Sequence, residues 1–340
     1  MGSDLKARLL AALTSRWMTA AMFMVAALAV LRFYEPPQSL LESRFGNPLL
    51  PLVPPATPSA TAFGLSGAVQ VRFALPSEGV EYPLEVHGDP TELEYSWVRV
   101  TDSVGVDSIR RLDSDTLVAP SVPGFYRLAL MRGLERRILS GLTLAVMVPF
   151  DEKRGGILDG YRIGTFRAER RGGTAPRPDG FVQVLPELVN LPVTRHLRLG
   201  SFVAPDGQTT WPRYAALDRR LLDKLELVFQ QLSAWRPDTA TVQLAVSVNS
   251  GFRTPWYNRR VPRAARDSRH QFGDAADVVI DANGDGRVTR EDANLVAAAV
   301  EMVEQSHPDL AGGLGLYVSG RYRQPYVHID TRGTRARWRG

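Results

Sequence analysis

Two histidines and an aspartate in the C-terminal part of the chain have the side chains that zinc prefers. His270 and Asp277 lie seven positions apart in SRHQFGDAAD, and His328 follows in PYVHIDTRG. A catalytic Zn²⁺ takes imidazole nitrogen and carboxylate oxygen from three protein ligands and keeps a fourth position for water. Gly273, between the first two residues, would let the backbone turn tightly. The residue types and their number predict a zinc site on His270, Asp277 and His328.

The sequence around these residues indicates the elements that must hold them. The β-branched run over residues 278–280 predicts a buried strand that starts at Asp277, and a ligand at a strand end is held rigidly. Tyr326, His328 and Asp330 alternate, which predicts a second strand with these three side chains on one face. Apolar residues at helical spacing predict an amphipathic helix over residues 217–235 that packs on the core.

Three segments together resemble the zinc D-Ala-D-Ala carboxypeptidase family of murein metallopeptidases. The segments are SGFRTPWYNRRV, SRHQFGDAAD and YVHID, in the family's order, and the resemblance covers residues 250–338. It implies an α+β zinc peptidase domain (hedgehog/DD-peptidase-like) and hydrolysis of peptide bonds in cell-wall stem peptides. We expect this domain to span residues 150–340.

The resemblance also implies roles for individual residues. His328 would be the third zinc ligand, and the guanidinium fork of Arg253 would orient the substrate. Asp330 would orient a ligand or act in catalysis, while Ser268 and Tyr326 would support the ligands from behind. Many relatives carry an acid or an extra histidine just before the last ligand, but residues 319–327 contain no acid here.

This departure leaves the general base open. The candidates are Asp330, Asp274 or an acid that folding brings to the site. Such a base adds about 10²–10⁴-fold to a rate by proton transfer.

A second metal site is indicated directly after the predicted strand, in DANGDGRVTRED at residues 281–292. The spacing is that of an EF-hand-like calcium loop, with a backbone carbonyl at the seventh position. Its ligands would be Asp281, Asn283, Asp285, Arg287 and Asp292. An aspartate in place of glutamate at the last position shortens the bidentate arm. The alternative is an acidic turn in which Thr289 caps the next helix. A bound Ca²⁺ would be structural, because the loop joins the zinc-bearing strand to that helix.

Composition narrows the class of protein. The 340 residues favour two folded units, and the 44% hydrophobic residues suffice for a core. Cysteine is absent, which excludes disulfides and thiolate chemistry and leaves zinc only His and carboxylate ligands. The net charge is +5, and nearly all of the positive charge comes from arginine. No nucleic-acid module accompanies that charge, so we expect no nucleic-acid partner.

The N-terminal 33 residues predict a membrane segment. Lys6, Arg8 and Arg16 precede an uncharged apolar run over residues 17–31, and this polarity places the following chain outside the cytoplasm. The run is short for a membrane span, so a signal anchor and a cleaved signal peptide both remain open. We expect a location on the periplasmic side of a bacterial cell envelope, with the chain anchored in the inner membrane.

Between this segment and the zinc domain we expect a linker and a second domain. Residues 34–66 are rich in proline and read as an extended tether. Short alternating runs separated by turn residues predict a small all-β, Ig-like sandwich over residues 67–149. Nothing in its sequence identifies its partner.

These observations predict an exported zinc hydrolase acting on peptidoglycan peptides. It would be a D-Ala-D-Ala carboxypeptidase or a murein endopeptidase, and the sequence does not decide which. The alternative is an inactive cell-wall-binding or scaffold protein that retains the metal fold, which the missing base would favour.

Overall fold

A computed structural model describes residues 52–53, 63–83, 85–86, 93–106, 108–112, 116–171, 176–236, 244–319 and 324–340. The predicted membrane segment at residues 1–33 and most of the predicted linker at residues 34–66 lie outside these ranges. Within the described ranges, no helix has both the length and the apolar character needed to cross a membrane.

The described ranges contain short strands in the N-terminal half and both strands and helices in the C-terminal half. The strands are β1 (Leu52–Val53), β2 (Val71–Ala74), β3 (Gly79–Glu81), β4 (Glu85–Val86), β5 (Glu94–Arg99), β6 (Arg110–Arg111), β7 (Thr116–Val118), β8 (Gly124–Arg132), β9 (Glu135–Ile138), β10 (Thr143–Val146), β11 (Val148–Pro149), β12 (Ile157–Leu158), β13 (Tyr161–Arg162), β14 (Gly180–Val184), β15 (Arg213–Ala215), β16 (Ala245–Ser250), β17 (Ala275–Asp281), β18 (Gly313–Tyr317), β19 (Tyr326–Asp330) and β20 (Ala336–Arg339). The α-helices are α1 (Arg167–Arg171), α2 (Arg219–Trp235), α3 (Pro255–Asn258) and α4 (Arg290–Ser306).

The first part of the described chain is built around a six-stranded sheet. Its order is β2-β10-β8-β5-β6, with β9 paired to β8, and β2 runs parallel to β10. Trp97 is buried in β5, and the Tyr126 hydroxyl of β8 donates to the carbonyl of Val122 at 2.8 Å. A buried tryptophan and a tyrosine bonded back to its own chain are both typical of Ig-like sandwiches. The Ig-like assignment nevertheless stays a prediction.

The second part combines a five-stranded sheet with two long helices. The sheet order is β16-β17-β19-β18-β20, and α2 and α4 pack against each other while α4 also contacts β17, β18 and β19. The apolar residues predicted to face the core from α2 are buried: Leu221, Leu222, Leu225, Val228, Phe229 and Leu232. This mixture of helices and strands confirms the α+β class of the C-terminal part.

The five-stranded sheet places the predicted zinc ligands by its register. The predicted buried strand is β17, and all its residues except the last are buried. It pairs antiparallel with β19 so that Asp277 lies opposite His328. On its other side Ser250, at the end of β16, lies opposite Asp277 after a bulge. The sheet therefore joins residues that are far apart in sequence.

The two parts share buried contacts. From helix α2, Asp223 accepts the backbone N–H groups of Leu65 and Ser66 at 3.0 Å each, together with the Ser66 hydroxyl at 2.8 Å. One continuous cluster of buried apolar residues runs through both parts, and the described residues of Leu52–Gly340 fall in one compact unit. The predicted boundary at residues 149 and 150 stays a prediction.

Candidate metal centre

The ligand atoms of His270, Asp277 and His328 meet at one point. Asp277 Oδ1 lies 3.2 Å from His270 Nε2 and 2.9 Å from His328 Nδ1, and the two ring nitrogens are 3.2 Å apart. All three side chains are buried. In the described ranges, no other three residues drawn from His, Cys, Asp and Glu bring such atoms within 4.8 Å of one another.

A left-handed glycine turns the chain so that His270 faces Asp277. His270 lies in a short 3-10 turn, Arg269–Phe272, which ends at Gly273 with φ of 76°. A Cβ atom built on Gly273 would lie 2.3 Å from the carbonyl oxygen of Ala216, closer than real Cβ atoms approach. The turn thus needs glycine twice, for its backbone angle and for its close contact.

Hydrogen bonds on the outer ring nitrogens assign both tautomers. His270 Nδ1 lies 2.7 Å from the carbonyl oxygen of Gly251, and His328 Nε2 lies 3.1 Å from Asp330 Oδ2. Because these partners only accept, each outer nitrogen carries its proton. When the rings are neutral, their inner nitrogens are therefore acceptors, and they face a carboxylate oxygen that is also an acceptor.

Three acceptors that point at one another can hold a cation between them. A tetrahedral zinc with bonds of about 2.0–2.2 Å separates its ligand atoms by about 3.4 Å. The three separations in this centre, 2.9, 3.2 and 3.2 Å, are close to that value. A carbonyl or carboxylate behind each imidazole is also the usual support of zinc-binding histidines. The donor set therefore fits zinc.

The charges of the centre favour a cation as well. Burial lowers the pKa of His270. Burial alone would raise the pKa of Asp277, but the charge and hydrogen bond of His270, together with His328, outweigh it and hold that pKa well below its usual value. For His328 burial would lower the pKa, and its bonds to Asp277 and Asp330 outweigh burial and raise it. The same two carboxylates would attract a divalent metal.

Arg253 lies beside a ligand. It donates through Nη2 to Asp277 Oδ2 at 2.6 Å and through Nε to the Ser250 hydroxyl at 2.7 Å. Its backbone N–H also donates to the carbonyl of His270 at 3.0 Å. Arg253 thus supports Asp277 in the structure. It also lines the same cleft as the ligands, and its role in substrate orientation stays a prediction.

The contacts of Asp330 suit a positioning residue. Its carboxylate is fully buried and accepts from His328 Nε2, from the backbone N–H of Gly313 at 2.7 Å and from Arg332. Burial opposes its charge, but the bonds from His328, Arg332 and Gly313 hold its pKa well below the usual value. A carboxylate with these donors has little tendency to take a proton from water.

The other candidate base, Asp274, is not among the described residues that line the cleft of the ligands. It pairs with Arg269 and lines a different cavity, beside Phe272. Burial raises its pKa. Folding does bring another acid, Asp267, to the cleft that contains the ligands, where it pairs with Arg167.

The ligands open into a cleft of about 760 Å³. Ser268 and Tyr326, predicted to support the ligands, both line it, and Tyr326 stacks on Tyr317 with ring centroids 4.5 Å apart. Trp338 lies over His328 at a centroid distance of 5.2 Å and donates its indole N–H to the Tyr317 hydroxyl at 2.9 Å. One wall of the cleft is thus aromatic.

Sequence reasoning missed this wall and the acceptor behind His270. Trp338 reaches the site because β20 runs parallel to β18, with Trp338 opposite Gly315. A side chain on Gly315 would collide with the indole, since its Cβ would lie 2.4 Å from the ring. The alternation in ARWRG could have indicated a strand. Gly251 acts through its carbonyl, for which a sequence carries no signal.

In the predicted calcium loop, Asp281 organises a turn. Its carboxylate accepts the backbone N–H groups of Gly284 at 2.9 Å, Asp285 at 3.2 Å and Gly286 at 3.0 Å. Asn283 Oδ1 and Asp285 Oδ1 likewise accept from the loop backbone, the latter from Arg287 N–H.

Asp292 caps the helix that follows. It forms a capping box with Thr289 at the start of α4, and its other oxygen accepts the N–H groups of Ala282 and Asn283. This is the helix-cap alternative to calcium. The carboxylates of Asp281, Asp285 and Asp292 do not form a group of three converging ligands among the described residues. Calcium at this loop stays a prediction that the structure does not support.

Comparison with known proteins agrees with the geometry. The family model described as Peptidase M15 matches residues 215–305, which include Arg253, His270 and Asp277. No curated protein matches the chain. A solved structure, the Serratia marcescens L-Ala D-Glu endopeptidase ChiX, is similar at 19% identity over 34% of this chain and 83% of its own, with a TM-score of 0.24. That score is too low for an argument about fold or function.

His328 lies beyond the matched residues, and the pairing of β17 with β19 brings it to the two ligands inside them. The M15 peptidases are zinc-dependent, and this chain has a His-Asp-His group that fits the metal. Residues 215–305 therefore match the M15 peptidase family, the zinc peptidases that the sequence motifs resemble.

Proposed function

We propose that this protein hydrolyses peptide bonds in peptidoglycan, with zinc on His270, Asp277 and His328. The observation that carries the proposal is the convergence of three acceptor atoms at the floor of an open cleft. A bound zinc would polarise the scissile carbonyl and lower the pKa of a water molecule. The murein substrate follows from the family resemblance of the sequence motifs.

The chain's own residues would hold and orient these parts. Arg253 keeps Asp277 in place through Oδ2 and leaves Oδ1 for the metal. Asp330 holds the ring of His328 through Nε2, so that Nδ1 faces the metal. The stacked pair Tyr317 and Tyr326 would flank the substrate. We propose Asp267, the remaining carboxylate among the described cleft residues, as the acid that folding brings to the site.

The type of peptidase and its location are part of the proposal. Carboxypeptidase and endopeptidase action differ in the bond that is cut, so the products decide between them. The apolar run at residues 17–31 supports an anchor in the inner membrane, with the catalytic part on the periplasmic side of the cell envelope.

The test is digestion of purified sacculi by the full chain in detergent, with zinc and with a chelator. We expect soluble muropeptides that disappear on chelation and fall by at least about 10³-fold in His270→Ala, because several kcal/mol of metal stabilisation are lost. His307→Ala is the matched control, since His307 follows helix α4 outside the cleft. The mass of the products identifies the bond.

Absence of products from a protein that binds one zinc per chain would contradict hydrolysis of this substrate. It would favour the alternative of a wall-binding protein that retains the metal fold. Products that persist after chelation would exclude zinc from the reaction.

A further inference from the structure

A second cavity, of about 550 Å³, adjoins the metal cleft. Asp267 lines both. We refer to this second cavity as the arginine pocket, because four of its lining side chains are arginines: Arg167, Arg170, Arg259 and Arg266. Among the described residues that line it, Asp267 is the only acidic one.

The positive charge of the arginine pocket is mostly unbalanced. Arg167 pairs with Asp267. Among the described residues, the side chains of Arg170, Arg259 and Arg266 have no hydrogen-bond or ion-pair partner. Burial, followed by the charges of Arg170 and Arg260, lowers the pKa of Arg259. These exposed like charges lie close enough to interact, and an anion between them would offset their repulsion.

The two sides of the arginine pocket are fixed to each other. Arg259 follows helix α3, where the backbone N–H of Trp256 donates to the carbonyl of Ile163 at 2.9 Å. Gly164 allows this approach, because a Cβ there would lie 2.7 Å from the Trp256 nitrogen. On the other side, Glu169 anchors helix α1 by binding Lys153 at 2.5 Å. The backbone segments that carry Arg170 and Arg259 are therefore fixed in position by these contacts.

The remaining lining is largely apolar. Phe166 and Phe272 lie with their ring centroids 6.4 Å apart, and Pro255 is beside them. Arginine forks bind carboxylates through paired hydrogen bonds, while an apolar surface binds the carbon chain that carries the carboxylate. A bare inorganic anion would make no use of the apolar part of the lining, of which Phe272 is the more accessible ring. The combination fits a carboxylate on an aliphatic peptide side chain.

We propose that the arginine pocket is a binding subsite for the carboxylates of cell-wall peptides, next to the metal cleft. The identity of the polymer rests on the proposed function. The pocket would hold an acidic part of the wall while a neighbouring peptide lies at the metal. Binding at this subsite needs no turnover, so it can be measured separately from hydrolysis.

The experiment is co-sedimentation of the full chain in detergent with purified sacculi, at low and physiological salt. The uncharged chelator 1,10-phenanthroline prevents cleavage without competing for the arginines. The test variant is Arg170→Gln with Arg259→Gln. The matched control is Arg110→Gln with Arg111→Gln, which removes the same charge from two exposed positions of β6. Thermal melting checks that both variants fold.

Three preparations of sacculi identify the anion. One is untreated, one has its carboxylates amidated with carbodiimide, and one has its phosphate polymers removed with hydrofluoric acid. We expect the test variant to bind untreated sacculi about tenfold more weakly than the wild type, which corresponds to about 1.4 kcal/mol. Amidation should weaken the wild type similarly and add little to the variant, and hydrofluoric acid should change neither.

Equal weakening of the control variant would overturn the proposal in favour of a general effect of net charge. Loss of binding after hydrofluoric acid alone would make phosphate the ligand, and unchanged binding by the test variant would exclude the subsite. Cleavage of a short soluble stem peptide is measured in parallel with zinc. Its absence would count against the proposed function, whereas the sedimentation results would still decide the subsite.

Discussion

Asp277 joins most of the interactions of the metal centre through its two oxygens. Oδ1 faces the inner nitrogens of His270 and His328, and Oδ2 accepts from Arg253. The division leaves one oxygen for the metal and uses the other for orientation. A partner such as Arg253, which bonds the ligand on the side away from the metal, fixes the orientation of the carboxylate.

The role of Asp330 can be tested by Asp330→Asn. If Asp330 positions His328, the change weakens the bond to Nε2, and zinc affinity falls by about 10–100-fold. The activity should then recover in part when zinc is added in excess. Zinc affinity is measured by competition with a chromogenic chelator, beside the rate on muropeptides. Unchanged affinity with lost activity would instead identify Asp330 as the base.

At the scale of elements, the turn before β17 decides whether the first two ligands meet. We expect Gly273→Ala to abolish zinc binding, because the new Cβ would collide with the carbonyl of Ala216 and displace His270. Gly286→Ala is the matched control: φ is 82° there and nothing lies within 4 Å of the new Cβ. It carries only the left-handed strain, of about 1–2 kcal/mol. Equal zinc binding by both variants, measured by metal content, would contradict the collision.

A buried ion pair ties both long helices to the metal-bearing sheet. Lys224 of α2 donates to Glu304 of α4 at 2.7 Å and to the carbonyl of Asp330 in β19, also at 2.7 Å. Glu304 additionally accepts from the backbone of Gly312 and from Arg337. The two partners of the pair are therefore not equivalent.

We expect Glu304→Ala to cost about 3–5 kcal/mol of unfolding free energy, because it leaves the Lys224 ammonium buried without its carboxylate. Lys224→Met should cost less, since Glu304 keeps Arg337 as its partner. Urea unfolding of both variants measures the difference. Equal losses would show that Arg337 does not compensate.

The sequence predicts several of these elements but not how they come together. The buried strand and the amphipathic helix follow from local patterns, and the fold bears them out at β17 and α2. The three predicted ligands converge in the fold, and their role as ligands stays a prediction. The pairing of Asp277 with His328 depends on sheet register across 51 positions, which only the family motifs could suggest. The arginine pocket combines residues around 167 with residues around 259, so no local sequence pattern could predict it.

At the scale of the whole molecule, Asp223 links the β part to helix α2. Asp223→Ala would leave the N–H groups of Leu65 and Ser66 and the Ser66 hydroxyl without their acceptor. Because these hydrogen bonds are only partly buried, each loss costs about 1 kcal/mol, so we expect about 3 kcal/mol in total. Asp151→Ala, which removes an exposed pair with Arg177, is the control with little effect.

Calorimetry of the full chain checks this prediction. We expect one cooperative transition for the described part in the wild type, with a melting temperature lowered by roughly 5–10 °C in Asp223→Ala. Two separate transitions in the wild type would show that the β part and the peptidase part unfold independently. The sequence predicts two separate units, because no local pattern indicates the shared core that the structure contains.

Because the two histidines have opposite tautomers, a different uncharged amide residue matches each of them. His270 presents Nε2 at the metal position and His328 presents Nδ1. The side-chain amide of glutamine reaches about as far as Nε2, whereas that of asparagine reaches about as far as Nδ1. The uncharged isostere of the first ligand is therefore glutamine and that of the second is asparagine. Exchanging the two amides would place one short of the centre and the other beside Asp330, past the metal position.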